Sequence, residues 1–384
     1  MFLTLVFVLF TSTPTWAYLS YGDASDDCNF SSTQTLNKAI WNCDDLIVDS
    51  GVTLSFANTV TDPIQFRVQG TTTIDGTISV SATASDPGPG GSRGGSCNAN
   101  AQCTGQDGVG STGGEGSGGT TANGGTGAAS GGGGGGAAYA IGSSAQAGAN
   151  GGSAGGTAGT GGSAGAAYVS TNSLSSSLVG GVGGGAGGSG DFFGSFATGG
   201  NGGHGSGSIA IISKGSIVFN NSAINARGSQ GLNGGVGGSG HFGGNGGAGS
   251  GGSIYIITSE SVSATNATFD IRGGDANATA SRALGGRGGD GILRIDTENG
   301  ASISGITVSD NDTLGTSFNT TPSGITDPLS GSTDSGESGT QFESDIAPSC
   351  SYKVLDETQK LPIISFIFGV CFILIFRQLH KFTY

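Results

Sequence analysis

In the sequence GSQGLNGGVGGSGHFGGNGGAGSGG, residues 228–252, glycine stands at every third position. A three-residue period is the period of the polyproline II helix, which makes no internal hydrogen bonds. A glycine on every turn gives such a helix a flat face that a neighbouring backbone can approach closely. Because a flexible linker has no need of a fixed phase, the run indicates a packed element.

The same unit, a glycine-rich loop followed by a strand of β-branched residues, occurs more than once. The loop at 180–207 precedes Ile209, the loop at 228–252 precedes Ile254, and both contain the segment Gly-Gly-Asn-Gly-Gly. A shorter loop at 285–291 leads into Ile292. Repetition of one supersecondary unit predicts an architecture of stacked repeats.

Short strands are predicted in groups of about three within ~20–25 residues, which is the period of a stacked repeat. One spacing is shared by three pairs of strand starts: Phe66 to Ile74, Ile209 to Ile217 and Ile254 to Val262. In each opening strand two apolar residues bracket a variable one, and period-two alternation predicts that the variable residue faces outward. These variable residues are Arg67, Ala210, Tyr255 and Arg294.

The predicted fold class is therefore all-β. It is a short right-handed parallel β-helix with long glycine-rich, polyglycine II-like loop insertions, followed by a C-terminal transmembrane helix. Adjacent loops that leave one corner of the stack are expected to pack side by side as a layer. An antiparallel sandwich is the alternative, because Asp75-Gly76 is also a hairpin signal.

Composition and net charge limit the classes of protein to which the chain can belong. Of 384 residues 81 are glycine, only 10% are charged, and the net charge is −14. An acidic chain of this kind argues against nucleic-acid binding, which needs a basic face. It is compatible with an exposed surface protein.

Both ends of the chain carry apolar runs. The start resembles a secretory signal that ends at Ala17, with an uncleaved anchor as the alternative. The second run begins at Leu361, ends at Phe376 and is followed by basic residues, which predicts a membrane helix with a cytoplasmic tail. A run of this shape also resembles bacterial C-terminal sorting signals.

These features divide the chain into seven segments. They are a signal peptide (1–17), an N-terminal cap with the first strand repeats (18–85), a long glycine-rich insert (86–207), further strand repeats with glycine-rich loops (208–312), an acidic linker rich in Ser, Thr and Gly (313–360), a membrane or sorting helix (361–376) and a basic tail (377–384).

Six cysteines are present, and secretion permits disulfides. Cys28 with Cys43 and Cys97 with Cys103 are plausible local pairs, although spacing alone does not fix the connectivity. Cys350 precedes the membrane run and is either a processing or lipidation site or an unpaired thiol. No C-x-x-C spacing supports a zinc site.

Motifs for chemistry are sparse. Residues 285–293 fit a calcium-binding nonapeptide, but only one copy is present, whereas such sites share calcium between consecutive copies. No P-loop or dinucleotide fingerprint stands in its proper context, so no cofactor and no metal is predicted. A carbohydrate-active β-helix enzyme would need paired carboxylates. The candidate carboxylates are Asp270, Asp275, Asp290, Asp296 and Glu298, of which Asp270 and Asp296 are the proposed pair.

Large residues that interrupt the glycine loops are the better candidates for a site. On bare glycine they either pack against a neighbouring loop or form an exposed recognition patch. The predicted binding residues are Phe192, Phe193, Phe196, His241 and Phe242.

Four segments carry a resemblance to a known family: Tyr21 to Asp26, Leu46 to Leu54, Phe66 to Thr71 and Ile74 to Ile78. They resemble glycine-rich β-helical surface proteins of bacteria and phage tail-tip adhesins with polyglycine II layers. The resemblance implies display and binding and transfers no catalytic residue. The expected function is non-enzymatic: an adhesive cell-surface protein, anchored in the membrane, that contacts a glycan, protein or matrix ligand. The alternatives are the carbohydrate-active enzyme and, without the regular threonine arrays it would need, an ice-binding surface.

Overall fold

The computed structural model describes residues 21–97, 103–109, 116, 119–120, 128–137, 145–154, 157–166, 178–238, 240–277, 282–297, 299, 301–302, 304–310 and 319–320. All of them belong to the compact unit Met1–Ile325. The described residues contain strands and loops but no helix. No described helix is therefore long and apolar enough to span a membrane, and the runs at 1–17 and 361–376 lie outside the described residues.

The strands are numbered in chain order. Before the long insert they are β1 (Asn29–Phe30), β2 (Gln34–Leu36), β3 (Ile40–Cys43), β4 (Leu46–Val48), β5 (Thr53–Phe56), β6 (Ile64–Val68), β7 (Thr72–Ile74) and β8 (Thr77–Ser79). Within the insert they are β9 (Ala128–Ala129), β10 (Ser153–Ala154), β11 (Gly190–Phe192) and β12 (Ser195–Ala197). After it they are β13 (Ile209–Ser213), β14 (Ile217–Asn220), β15 (Ala223–Asn225), β16 (Ser253–Thr258), β17 (Val262–Thr265), β18 (Ala267–Asp270), β19 (Ile292–Thr297), β20 (Ala301–Ser302), β21 (Ile306–Ser309) and β22 (Asn319–Thr320).

Eighteen of these strands form three six-stranded parallel sheets, which we call the scaffold. Sheet A has the order β22-β19-β16-β13-β6-β3, sheet B the order β1-β4-β7-β14-β17-β20, and sheet C the order β2-β5-β8-β15-β18-β21. Successive strands of the chain enter sheets A, B and C in rotation, so each turn of the chain adds one strand to each sheet. The described part of the chain is thus all-β, and the parallel sheets of the scaffold are compatible with a parallel β-helix.

The scaffold core consists of apolar residues stacked above their equivalents in the next repeat. In sheet A, Ile209 pairs with Ile64 on one side and Ile254 on the other. Between sheets B and C, the rings of Phe219 and Phe269 meet edge to face at 5.3 Å. Each fully buried side chain of this size contributes ~1.5–3 kcal/mol of transfer free energy. A single turn of chain cannot enclose these residues, so the repeats stabilise one another.

The register corrects the predicted alignment of the first repeat. Ile209 pairs with Ile64 rather than Phe66, and Ile217 pairs with Thr72 rather than Ile74. A shift of two residues keeps the same side chains on the inner face, so alternation alone could not detect it. The shift places the hydroxyl-bearing Thr72, fully buried, in a column of apolar residues.

The outer face of sheet A also differs from the prediction. Ala210 and Tyr255 were predicted to face outward, yet both are buried, and β13 and β16 are buried on both faces. The hydroxyls of Ser208 and Ser253 donate to the carbonyl of Val179. The segment of the insert at Val179 therefore lies against the N-terminal ends of β13 and β16. Alternation predicted the two faces of each strand but not that the second face is covered.

All three glycine-rich inserts leave the scaffold between a strand of sheet C and the next strand of sheet A. They follow β8, β15 and β18 and return at β13, β16 and β19. Their straight segments pack together into a second body, which we call the glycine bundle. It is built from segments within residues 88–97, 103–109, 116–120, 130–137, 146–152, 157–165, 180–189, 199–207, 227–235, 243–252, 272–277 and 283–291.

The run at 228–252 is two segments of the bundle rather than one continuous element. Its halves are antiparallel, and backbone hydrogen bonds join Gly252 to Ala226, Gly249 to Ser229 and Gly246 to Leu232 at 2.9–3.0 Å. The chain reverses at 236–242 without losing the three-residue phase. The three-residue phase of the glycines is the same in both halves, because the hydrogen bonds that join the halves recur at every third residue.

A central segment of the bundle, residues 180–189, shows how the segments are held. Its successive N–H groups donate in rotation to three different segments, and its carbonyls accept from three more. The acceptors lie in 103–109, 200–206 and 132–135, and the donors in 92–95, 116–119 and 244–250. The inserts therefore form a three-dimensional bundle rather than a single layer, with the three-residue period of polyproline II.

At many central positions this packing leaves no room for a side chain. A Cβ atom on Gly134, Gly135 or Gly136 would lie 1.9–2.0 Å from a backbone oxygen of Gly185, Ser163 or Arg287 respectively. Three successive positions thus face three different neighbours. The six consecutive glycines at 131–136 follow from this geometry, since every side of the segment is in contact with another backbone.

Asparagine replaces glycine where its amide can satisfy a neighbouring backbone group. The side-chain oxygen of Asn201 accepts from the Cys97 N–H, and that of Asn245 accepts from the Gly234 N–H, both at 3.1 Å. These are the asparagines of the repeated Gly-Gly-Asn-Gly-Gly segment. The repeat therefore marks equivalent positions at which the bundle is bonded through a side chain.

The described residues include two disulfides, one in the scaffold and one in the glycine bundle. Cys28 is bonded to Cys43, which ties β1 to β3 at the start of the scaffold. Cys97 is bonded to Cys103, with Cα atoms 5.9 Å apart, and joins two segments of the bundle.

The sequence did not predict β1, β2 and β3 or the small antiparallel sheet of order β10-β9-β11-β12. Strands of two to four residues are too short to show a period. The strand predicted around Ile303 falls on a residue outside those described.

Candidate binding site at the distal end of the glycine bundle

Two of the described chain reversals, at residues 190–198 and 236–242, lie at the end of the bundle away from the scaffold. We call these two segments the distal end. Near the scaffold, Gly207 donates to Val80; near the distal end, Gly187 donates to Gly200. Segments of glycine thus separate this end from the sheets.

The first reversal is a hairpin formed by β11 and β12. Phe193 and Gly194 occupy its turn with φ of 49° and 78°. Two consecutive positive φ values are the requirement of a type I′ turn, whose twist matches that of the paired strands. The carboxylate of Asp191 accepts from the Gly194 N–H at 3.0 Å and fixes the turn. The turn holds the Phe193 side chain away from the bundle, where it is 66% exposed.

The second reversal places His241 beneath the hairpin. Val236 and Phe242 form an antiparallel bridge, and the Gly237 N–H donates to the His241 carbonyl at 2.9 Å. The His241 ring is fully buried and stacks on Phe192, with ring centroids 6.1 Å apart and an angle of 23° between the planes. Neither ring nitrogen of His241 has a hydrogen-bond partner in the described part of the chain.

The structure brings together most of the predicted binding residues. Phe192 contacts both Phe193, at 4.8 Å between centroids, and His241. Phe196 stands opposite Asp191 in the hairpin and is 37% exposed. Phe242 is half-buried, and the Arg282 guanidinium lies 6.0 Å from its ring centroid. The buried His241 ring and the half-buried Phe192 ring form the base of the cluster, while Phe193 and Phe196 are exposed to solvent.

Two further residues of this end were not predicted. Val236 is 64% exposed at the second reversal, and Arg282 adds the positive charge beside Phe242. Val236 breaks the glycine pattern in the same way as the phenylalanines, so the same rule could have identified it. Arg282 belongs to a different insert, and no pattern in the sequence connects it with this end.

The proposed carboxylate pair does not form. Asp270 is on β18 in sheet C and Asp296 is on β19 in sheet A, so they belong to different sheets. Asp270 is paired with Arg272 at 2.6 Å. Asp296 is buried, accepts from the Tyr255 hydroxyl at 2.7 Å and is paired with Arg294. Each carboxylate is paired with an arginine close to it in sequence: Arg272 lies two residues after Asp270, and Arg294 lies on the same strand as Asp296. This arrangement is typical of ion pairs that stabilise a fold rather than of a catalytic pair.

The other predicted carboxylates are also bonded within the chain. Asp275 is paired with Arg227 at 2.6 Å, and Asp290 accepts from the Gly273 N–H at 3.0 Å. Asp290 is the aspartate of the calcium-like nonapeptide, and here it bonds a neighbouring segment. No cluster of three or more His, Cys, Asp or Glu side chains suited to a metal is found among the described residues. Glu298 lies outside them.

His204 is the second histidine of the bundle and lies away from the distal end. Its Nδ1 accepts a hydrogen bond from the Gly94 N–H at 3.0 Å, which requires that nitrogen to be unprotonated. Burial, and secondarily the charge of Arg93, lower the pKa of His204, against smaller opposing effects of Asp86 and Ser85. The imidazole is therefore a neutral structural acceptor.

Comparison with protein-family models, with curated proteins and with solved structures finds no match to this chain. The site must therefore be interpreted from its own geometry. That geometry is a partly exposed aromatic cluster at the end of a bundle whose described segments consist mostly of glycine.

Proposed function

We propose that this chain is a non-enzymatic surface protein that binds a ligand through the distal end of its glycine bundle. In this proposal the three sheets form a right-handed parallel β-helix, and the bundle is a polyglycine II-type projection from one corner of it. The predicted signal at 1–17, the linker at 313–360 and the membrane helix at 361–376 would place the projection outside the cell, on the cell surface.

One observation carries the proposal. Phe193 and Val236 are 66% and 64% exposed where the glycine segments reverse, and these are the two highest exposures among the large apolar side chains of the described residues. Exposed aromatic residues on a rigid support are typical of binding surfaces, because few rotamers are lost when the ligand binds. The support is rigid since the backbone of the central segments is hydrogen-bonded to neighbours on several sides.

The ligand that we propose is a cell-surface glycan, a protein or a component of the matrix. A flat aromatic surface can stack on a sugar ring or insert into an apolar pocket of a protein. The pairing of Asp270 and Asp296 with arginines supports no second, enzymatic function.

The test is adhesion of cells that display the full chain. The double variant Phe193→Ala/Phe196→Ala removes the exposed rings without touching the central segments, and we expect adhesion to fall about tenfold or more, corresponding to ~1.4 kcal/mol. Surface display, measured with an antibody to the scaffold, should be unchanged. These substitutions are more specific than deletion of 180–205, which would remove a central segment of the bundle.

The matched control is Val109→Ala. Val109 is 58% exposed on the bundle but lies in the segment whose carbonyl accepts from Gly183, close to the scaffold. We expect its adhesion to equal that of the unmodified chain. Equal loss in both variants, or no loss in the double variant, would show that the distal end is not the binding site.

A further inference from the structure

The chain contains a set of sequence triplets that the proposed function does not use. Asn-X-Ser/Thr, with X other than proline, is the acceptor sequence for N-linked glycans. It occurs at Asn29, Asn220, Asn266 and Asn277, whose side chains the structure describes, and at Asn311 and Asn319, whose side chains it does not. The four described triplets differ sharply in how accessible the asparagine is.

Asn29 is exposed. It lies on β1, the edge strand of sheet B, and its side chain faces solvent while the next residue, Phe30, is buried. Its backbone N–H donates to the carboxylate of Asp27, and no described group bonds its side-chain amide. The hydroxyl residue of the triplet, Ser31, is also exposed.

Asn266 stands in the turn between β17 and β18 and is also exposed. Its φ is 52°, so the chain turns sharply at this residue and presents the side chain outward. Its Nδ2 donates to the side-chain oxygen of Asn221, the equivalent turn residue of the preceding repeat, at 3.0 Å. An amide nitrogen that carries a sugar keeps one N–H, so this hydrogen bond and a glycan are compatible.

The other two asparagines are engaged by the fold. Asn277 is 7% exposed, its Nδ2 donates to the Gly231 carbonyl at 2.9 Å, and it lies within the glycine bundle. Asn220 is half-buried and donates to the carboxylate of Asp75 at 3.0 Å. A glycan on Asn277 would have no path to solvent without opening the bundle.

We propose that Asn29 and Asn266 are N-glycosylation sites and that Asn277 is not. The reaction requires entry into a secretory compartment, which the predicted signal provides, and a lipid-linked oligosaccharide diphosphate as donor. The asparagine Nδ2 forms a bond to the anomeric carbon of the first sugar and loses one proton. The bond from that carbon to the diphosphate oxygen breaks, and the lipid diphosphate leaves.

The positions of the two sites determine which part of the molecule the glycans would cover. Asn29 is on sheet B and Asn266 is at the turn from sheet B to sheet C, whereas the inserts leave the scaffold between sheets C and A. Glycans at these positions would cover the scaffold and leave the glycine bundle bare. The only described triplet within the bundle is the one that the fold buries.

The experiment is a peptide map of the full chain secreted from a eukaryotic host. Enzymatic release of N-glycans in H₂¹⁸O converts each occupied asparagine to ¹⁸O-labelled aspartate, and we expect the label at positions 29 and 266 and not at 277. Formation of the Cys28–Cys43 disulfide in the same sample shows that the chain reached an oxidising compartment. Absence of label at 29 and 266 in such a sample, or label at 277, would overturn the proposal.

Variants provide a second measurement. Ser31→Ala and Thr268→Ala each remove the acceptor triplet and leave the asparagine in place, so each should lose one glycan in intact mass. Thr268→Ala keeps the hydrogen bond between Asn266 and Asn221, which separates loss of the glycan from loss of the turn. Thr279→Ala is the control and should leave the number of glycans unchanged; a change there would contradict the assignment.

Discussion

The scaffold and the glycine bundle are regular for opposite reasons. In the scaffold, parallel strands are held in register by large side chains such as Phe219 and Ile254, which fill the space between the sheets. In the bundle, segments are held mainly by backbone hydrogen bonds, and Gly134 or Gly187 must lack a side chain for its neighbours to approach. The comparison teaches that close packing can be specified either by which side chains are present or by their absence.

The scaffold and the glycine bundle also differ in whether each could be stable without the other. Ordering glycine costs more backbone entropy than ordering any other residue, and the bundle buries little apolar side-chain surface to offset it. Its segments begin and end at strands of the scaffold, where Gly207 donates to Val80 and Gly252 donates to Ala226. We therefore expect the bundle to depend on the scaffold more than the scaffold depends on the bundle.

The largest effect is expected from Phe219→Ala in the scaffold. The side chain is fully buried against Phe269, and its removal leaves a cavity that costs ~3–5 kcal/mol of the free energy of unfolding. Denaturant unfolding followed by circular dichroism measures the loss. Hydrogen exchange should show that amides of the bundle, at 244–250, lose protection together with Ile211 and Ile256. A bundle that kept its protection would show that it does not need the scaffold.

A smaller and more local effect is expected from Gly187→Ala in the bundle. The added methyl group would lie 2.0 Å from the carbonyl oxygen of Gly244, so the two segments must separate, at a cost of ~1–3 kcal/mol. Amides at 244–250 should exchange faster while those of Ile211 and Ile256 are unchanged.

The matched control for this prediction is Gly238→Ala at the distal end, where nothing lies within 4 Å of the added carbon. It should leave both sets of amides unaffected. Equal disturbance by the two alanines would mean that bundle packing does not exclude side chains in the way described.

The smallest effect is expected from pH. The pKa of His204 is lowered, chiefly by burial, so the folded chain binds fewer protons than the unfolded chain as the pH falls below ~6.5. Stability contributed by the neutral imidazole is therefore present above that pH and is lost progressively below it. Thermal unfolding between neutral pH and pH 5 should show the loss, and His204→Gln should flatten the profile. An identical slope in the variant would assign the pH dependence to other groups.

The repeats of the scaffold could be predicted from the sequence because their signal is carried by side chains. Ile217 and Val262 start predicted strands, and they start observed ones. The register of the first repeat could not be predicted, because a shift of two residues, from Ile64 to Phe66, keeps the same alternate residues of the strand on the inner face. Burial of Tyr255 could not be predicted either, because its side chain contacts Arg294 and Asp296 of the neighbouring strand β19, and alternation along one strand does not report such contacts.

The site was predictable in part for a related reason. Phe192, Phe193 and His241 stand out against glycine, and equivalent positions in two loops predicted that they would come together. The separation of Asp270 from Asp296 was not visible, because both are polar residues near the end of a predicted strand. Which sheet each strand joins depends on the turns between them, and the sequence pattern does not report it.

Rotation of the hydrogen-bond partners every three residues limits how the inserts can change in length. Removing one residue from 243–252 would turn each later N–H toward a different neighbour and set Asn245 or Ala248 against a backbone that tolerates only glycine. Removing three residues from each half of the run at 228–252 would keep the phase of the remaining N–H groups and the bonds between the two halves. A change in length that preserves this packing must therefore proceed in steps of three residues in each half, which is nine nucleotides of coding sequence for each half.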